Sequence, residues 1–180
     1  MKSVEAQRIL HRLEQILTVT DATSVPELIA AIEDAGCIFL GGAGRSLLVA
    51  RCFGMRLMQA GYQVAVVADP LAPAIRPHDL LLLVSGTGRA AHLLDLSNRA
   101  TSLGARVAVV TADKAAPLAR STELLLKVGG GEPIPAFSGM PMGSQFELGS
   151  LLLLEGLFAR LLTSKGLTES DLRARHANLE

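Results

Sequence analysis

Leu80-Leu81-Leu82-Leu83-Val84-Ser85-Gly86-Thr87-Gly88 is the stretch that decides the fold. Five apolar residues stand in an unbroken row, with no polar residue at alternate positions. That pattern describes a strand covered on both faces, the condition of a parallel sheet. The row ends on two hydroxyls alternating with two glycines, and a helical pattern over Arg89–Leu103 follows at once. A strand that passes through a glycine-rich turn into a helix is the unit of an open α/β sheet. Ligands of such sheets bind in the crevice beyond the carboxyl ends of the strands.

The same unit recurs upstream. Cys37-Ile38-Phe39-Leu40 runs into Gly41-Gly42-Ala43-Gly44-Arg45-Ser46, and a helix is expected to about Ala60, stopped by Gly61. Val64–Val67, Arg106–Thr111 and Glu123–Val128 read as further strands, so five strands alternate with helices. A short helix is expected over Pro117–Arg120, and Gly129–Gly143, with five Gly and three Pro, reads as loop. A long apolar helix follows over Ser144–Ser164, then a short one over Leu167–Arg175. Ahead of the sheet, Val4, Ile9, Leu10, Leu13, Ile16 and Leu17 recur at helical spacing. Ser24, with Pro26 and Glu27 behind it, predicts a capped second helix. No repeat interrupts this order, and 180 residues suit one domain spanning 1–180.

Composition narrows the function. Hydrophobic residues make up 49% but aromatics only 3%, so Leu, Val, Ile and Ala must build the core. Seventeen basic residues balance seventeen acidic ones, without the basic excess by which proteins hold nucleic acid. The first twenty residues read as an amphipathic helix rather than a signal peptide. The most apolar stretch, 148–162, is too short to span a bilayer and carries Glu155 and Arg160. Cys37 and Cys52 form neither a disulfide framework nor a metal spacing, and both read as reduced core thiols of a cytoplasmic protein. His11, His78, His92 and His176 are scattered, so no metal site is expected. A mean hydropathy of +0.39 is more apolar surface than one core needs and points to a homo-oligomer.

Two turns and one carboxylate carry the candidate chemistry. Gly44, Arg45 and Ser46 open a helix after glycines, where backbone N–H groups meet an anion; tight turn geometry explains the glycines equally. The G-x-G-x-x-G spacing of dinucleotide sites fails, because Leu47 stands where its last glycine belongs. Ser85, Gly86, Thr87 and Gly88 offer side-chain donors as well as amides, a nest suited to a phosphate monoester. Glu147 is the candidate acid–base group, yet Ser144-Gln145-Phe146-Glu147 has the spacing of a capping box. The residues alone leave catalyst and cap both open. His176, near the terminus, reads equally as a solvated side chain.

Gly-Ala-Gly-Arg-Ser at 42–46, Met-Arg-Leu-Met at 55–58, Pro-Ala-Ile at 73–75, Ser-Gly-Thr-Gly at 85–88 and Pro-Leu-Ala at 117–119 resemble the 6-phospho-3-hexuloisomerase family of the SIS (sugar isomerase) fold. Pro-Met-Gly-x-x-Phe-Glu at 141–147 and Arg-His-Ala-Asn-Leu-Glu at 175–180 are its more specific marks. The resemblance implies a three-layer, flavodoxin-like fold with a five-stranded parallel sheet and helices on both faces. It implies a cytoplasmic homotetramer with sites at subunit boundaries, the helix at 2–19 and the tail at 165–180 making contacts. The implied reaction interconverts D-arabino-hex-3-ulose 6-phosphate and fructose 6-phosphate without a cofactor, in functional pairing with 3-hexulose-6-phosphate synthase. Under it Glu147 is the base, His176 a ring-opening or relay residue, and Gly44, Arg45, Ser46, Ser85, Gly86, Thr87 and Gly88 hold the substrate. The family loop usually continues with Glu-Thr, whereas Arg89-Ala90 stand here; Arg89, expected in the first turn of its helix, becomes a candidate phosphate ligand. The rival readings are an isomerase of sedoheptulose 7-phosphate or arabinose 5-phosphate, and a non-catalytic sugar-phosphate sensor.

Overall fold

The computed structural model describes residues 3–129 and 140–179, and the loop expected over 129–143 lies largely outside them. Five strands, β1 (Ile38–Gly42), β2 (Val64–Val66), β3 (Leu80–Val84), β4 (Arg106–Thr111) and β5 (Leu124–Lys127), form one sheet in the order β2-β1-β3-β4-β5. Every pairing is parallel, and β3 sits at the centre with Leu80–Val84 in register with both Ile38–Gly42 and Arg106–Val110.

The unbroken apolar strands are explained by what covers them. Ile38, Leu40, Leu80, Leu82, Val84, Ala108 and Val110 face one layer of helices. That layer is α1 (Val4–Thr18), α2 (Val25–Asp34), α3 (Gly44–Gln59) and α6 (Ser144–Lys165). The alternate residues Phe39, Leu81, Leu83, Val107 and Val109 face the other layer, where α4 (Ala91–Ser102) and α5 (Pro117–Arg120) supply Leu93, Ala100 and Leu118. Both faces of β3 are dry, with Leu80, Leu82, Leu83 and Val84 fully buried. A last short helix, α7 (Glu169–Ala174), closes against α3. No helix among the described residues is long and apolar enough to cross a membrane.

Three local expectations need correction. Ser24 precedes α2 but makes no capping hydrogen bond, because its own backbone already turns (φ −82°, ψ 9°) instead of holding the extended conformation of a cap. Arg89 lies outside α4, which begins at Ala91 with Ala90 as its N-cap. Cys52 is exposed on α3 rather than a core thiol, while Cys37 is partly covered and burial raises its thiol pKa.

Candidate active site

Strand direction sends β1 and β3 to the same edge of the sheet, and their turns meet there. In the Ser85–Gly88 turn the two glycine carbonyls are tied down from behind. Gly86 accepts hydrogen bonds from the Ala112 amide (3.1 Å) and the Thr111 hydroxyl (3.2 Å), and Gly88 from the Leu118 amide (3.1 Å). The amides of Gly86 and Thr87, in contrast, donate to no acceptor among the described residues. Two consecutive open amides between tied-down glycine carbonyls make a nest for an anion. Ser85 is buried, and its hydroxyl accepts from the Gly88 amide at 3.2 Å, which leaves its own proton available to a ligand. Gly88 adopts φ +60°, and a side chain there would meet Ala116 Cβ at 2.7 Å, so both conformation and space require glycine. Thr111, taken from the sequence only as the end of a strand, is the residue that sequence reading missed in this nest.

The helices opening on this edge are bare at their N-termini. The N-caps of α3, α4 and α6 are Ala43, Ala90 and Gly143, and none supplies a side-chain cap. By contrast, α1 and α7 are capped by Ser3 and Thr168. Uncapped N–H groups keep their partial positive charge for a ligand.

The start of α6 brings the carboxylate in. Phe146 packs its ring on Gly86 so closely that a Cβ at position 86 would lie 3.0 Å from Phe146 Cδ1. Glu147, the next residue, is therefore held beside the nest, with only 9% of its surface exposed. Its Oε2 accepts a hydrogen bond from Arg45 Nε in the first turn of α3. Its Oε1 lies over Gly143, 3.1 Å from where a Cβ would be. The capping-box alternative does not hold: Gly143 is the N-cap and Ser144 already lies inside the helix. Behind the turn, Arg12 of α1 donates to buried Gln145 at 3.1 Å and braces the start of α6.

The site residues predicted from sequence thus divide into three groups. Gly44, Arg45, Ser46, Ser85, Gly86, Thr87, Gly88 and Glu147 fall on the turns and helix starts at this edge. Arg89 reaches its lip, but its Nη2 is engaged by Asp113 at 2.8 Å, and that contact adds to the amide of Ala115 in holding the Asp113 carboxyl below its ordinary pKa. His176 is elsewhere. It lines a groove with Cys52, Met55, Arg56 and Glu155, while its neighbour Arg175 donates to the Gln59 carbonyl at 3.4 Å. Gln59 ends α3, about 21 Å along the helix axis from Arg45 at 1.5 Å per residue. Glu147 does not line the groove that holds His176, although Leu151, one turn further along α6, does. No group of three metal-binding side chains occurs among the described residues.

Comparison with known proteins bears on this geometry. The sequence matches the SIS domain family over residues 31–153. It is 41% identical to 3-hexulose-6-phosphate isomerase of Methylomonas aminofaciens, covering 96% of each chain. It is 32% identical to 3-hexulose-6-phosphate isomerase of Bacillus subtilis, over the whole of both. A crystal structure of a Methanococcus jannaschii protein, inferred to be a 3-hexulose-6-phosphate isomerase, superimposes with a TM-score of 0.82 at 29% identity, covering 98% of this chain and 97% of that one.

Proposed function

The chain belongs to the SIS domain family and, within it, to the 3-hexulose-6-phosphate isomerases, and from that premise we propose that it interconverts D-arabino-hex-3-ulose 6-phosphate and fructose 6-phosphate. The observation that carries the reading is the buried carboxylate of Glu147 beside an open anion nest. A carboxylate costs free energy to bury, and a fold retains one at a crevice where it has work to do.

The chemistry follows from the two features together. The phosphate docks in the Ser85–Gly88 nest and at the bare N-terminus of α4, which fixes the register of the carbon chain. Glu147 takes the proton from C2, and the C–H electron pair becomes the C2–C3 double bond of an enediolate whose charge rests on O3. Return of a proton to C3 and transfer of the O2 proton to O3 complete the shift of the carbonyl to C2. The amides of Gly44, Arg45 and Ser46 at the start of α3 face the developing charge. Electrons stay within the substrate throughout, so the reaction calls for no redox cofactor.

The oligomer enters the same reading. Leu48 (58% exposed), Met55 (52%) and Leu152 (44%) leave apolar surface on α3 and α6 beside the groove that holds His176. Covering that surface with further copies, in the homotetramer that family resemblance suggests, brings a neighbour's His176 toward Glu147. The terminal helix and tail are assigned to those contacts. We place the enzyme in the cytoplasm, where a phosphorylated sugar is retained, working with the synthase that supplies its ketose. A coupled assay that makes hex-3-ulose 6-phosphate in situ and detects fructose 6-phosphate tests the reading directly. Turnover that survives Glu147→Gln undiminished, or no turnover at all by the wild type, overturns it.

A further inference from the structure

We infer that Arg45 changes partner during the catalytic cycle: its guanidinium holds Glu147 while the site is empty and passes to the C2–C3 oxygens of the substrate when the phosphate has docked. The inference rests on the reading of Glu147 as the base.

Four observations lead there. First, Glu147 is nearly buried and Arg45 Nε is the cation that compensates its charge. Second, Arg45 is the accessible member of the pair: its side chain is 66% exposed, against 11% for Glu147. Third, the contact uses Nε alone and reaches Oε2 alone. The guanidinium therefore keeps its two Nη groups for another acceptor, and among the described residues no other side chain or carbonyl engages them. Fourth, Oε1 faces the bare Cα of Gly143 and accepts no hydrogen bond among the described residues. The pair is half-made on both sides, unlike the bidentate fork of a permanent arginine–carboxylate bridge.

A lasting bridge here works against the reaction. The Oε2 lone pair that holds the guanidinium N–H cannot at the same time receive the C2 proton, and a general base must be free to take it. The enediolate oxygens, in turn, need a positive group as their charge appears. Both demands are met when one guanidinium leaves Oε2 for the substrate oxygens. Oε2 comes free only in the complex, and the empty enzyme is spared an unpaired buried charge. The proton of C2 goes to Glu147, the C–H pair becomes the C2–C3 double bond and the carbonyl π pair moves to O3, with Arg45 holding that oxygen and making no bond of its own.

The experiment reads Arg45 directly. In protein labelled with [15N]arginine, the Nε–H resonance of Arg45, assigned by its loss in Arg45→Lys, is followed by NMR. It is expected to shift when fructose 6-phosphate is added and to be unmoved by inorganic phosphate alone. In Glu147→Gln it is expected to be displaced before any ligand is added. Kinetically, Arg45→Gln is expected to lose about 10²-fold in kcat, the size of a lost oxyanion donor, with KM changed only a few-fold and part of the rate restored by added guanidinium. A resonance that moves equally with inorganic phosphate makes Arg45 a phosphate ligand and overturns the inference. So does a rise in KM with kcat preserved, a failure of guanidinium to rescue, or an Nε–H that stays on Glu147 in the complex. Should Glu147→Gln itself turn over normally, it is the assignment of the base that falls; Arg45→Gln with wild-type kcat beside an inactive Glu147→Gln removes the partner exchange alone.

Discussion

Glu147 is the residue at which sequence and structure part most instructively. Ser144-x-x-Glu147 matches a capping box letter for letter, yet Ser144 is the first helical residue of α6 and Gly143 its N-cap. The cause is the turn before it: Met142 takes φ +52° and the Ser144 amide bonds to the Pro141 carbonyl, so Gly143 becomes the N-cap. With its capping role removed, Ser144→Ala should change stability by no more than about 0.5 kcal/mol, since Ala suits a helix interior at least as well. Glu147→Gln, of equal shape, should leave the fold intact and lower kcat by about 10²- to 10⁴-fold, the range of lost acid–base catalysis. Melting curves and the coupled assay on the two variants check both expectations, and retention of more than about a tenth of kcat would assign the proton to another group. The nest answers differently. Ser85→Ala and Thr87→Ala remove contacts made alike in ground and transition states, so they should raise KM with kcat little changed, each by about 1.5–3 kcal/mol of binding. Fructose 6-phosphate titrations of the variants measure that loss, and wild-type affinity in both would place the phosphate elsewhere.

At the scale of elements, the strands were legible because both their faces are buried and the apolar rows needed no partner to be recognised. Helix starts were not legible at the working edge. Ala43, Ala90 and Gly143 carry no side-chain acceptor, and a sequence reading that looks for Ser, Asp or Asn passes over them; that is why Arg89 was placed inside α4 and why Ser144, the first residue of α6, could be read as its cap. The missing caps have a functional reading, because a side-chain oxygen bonded to those amides would occupy the place of the substrate anion. Ala90 makes this testable, as its backbone (φ −70°, ψ 115°) is already that of a cap. Ala90→Asp should stabilise the ligand-free protein by about 0.5–2 kcal/mol and raise KM by about tenfold or more, the equivalent of one lost hydrogen bond to a charged group. Thermal denaturation with and without fructose 6-phosphate separates the effects: a variant both more stable and equally avid would show that the start of α4 binds no anion.

At the scale of the whole molecule the proposed oligomer enters the argument. A mean hydropathy of +0.39 signalled excess apolar surface, and the structure locates part of it on Leu48, Met55 and Leu152. What no pattern in the chain disclosed is that Glu147 pairs with the first turn of α3 while His176 lines a groove along its second half. The tail is bound in place by α7, whose Thr168–Asp171 capping box is complete, and by Arg175, which closes the carboxyl end of α3 through the Gln59 carbonyl. A test of His176 must therefore spare Arg175. Truncation after Arg175 keeps α7 and its clamp, so the melting temperature should stay near that of the full chain while kcat falls sharply. When that truncated chain is refolded together with Glu147→Gln, hybrid oligomers pair an intact Glu147 on one subunit with an intact His176 on the other. Activity of the mixture should then exceed the sum of the separately refolded variants, because only sites shared between copies contain both groups. Activity equal to that sum confines each site to one chain, and full activity of the truncated protein alone leaves His176 a solvated terminus.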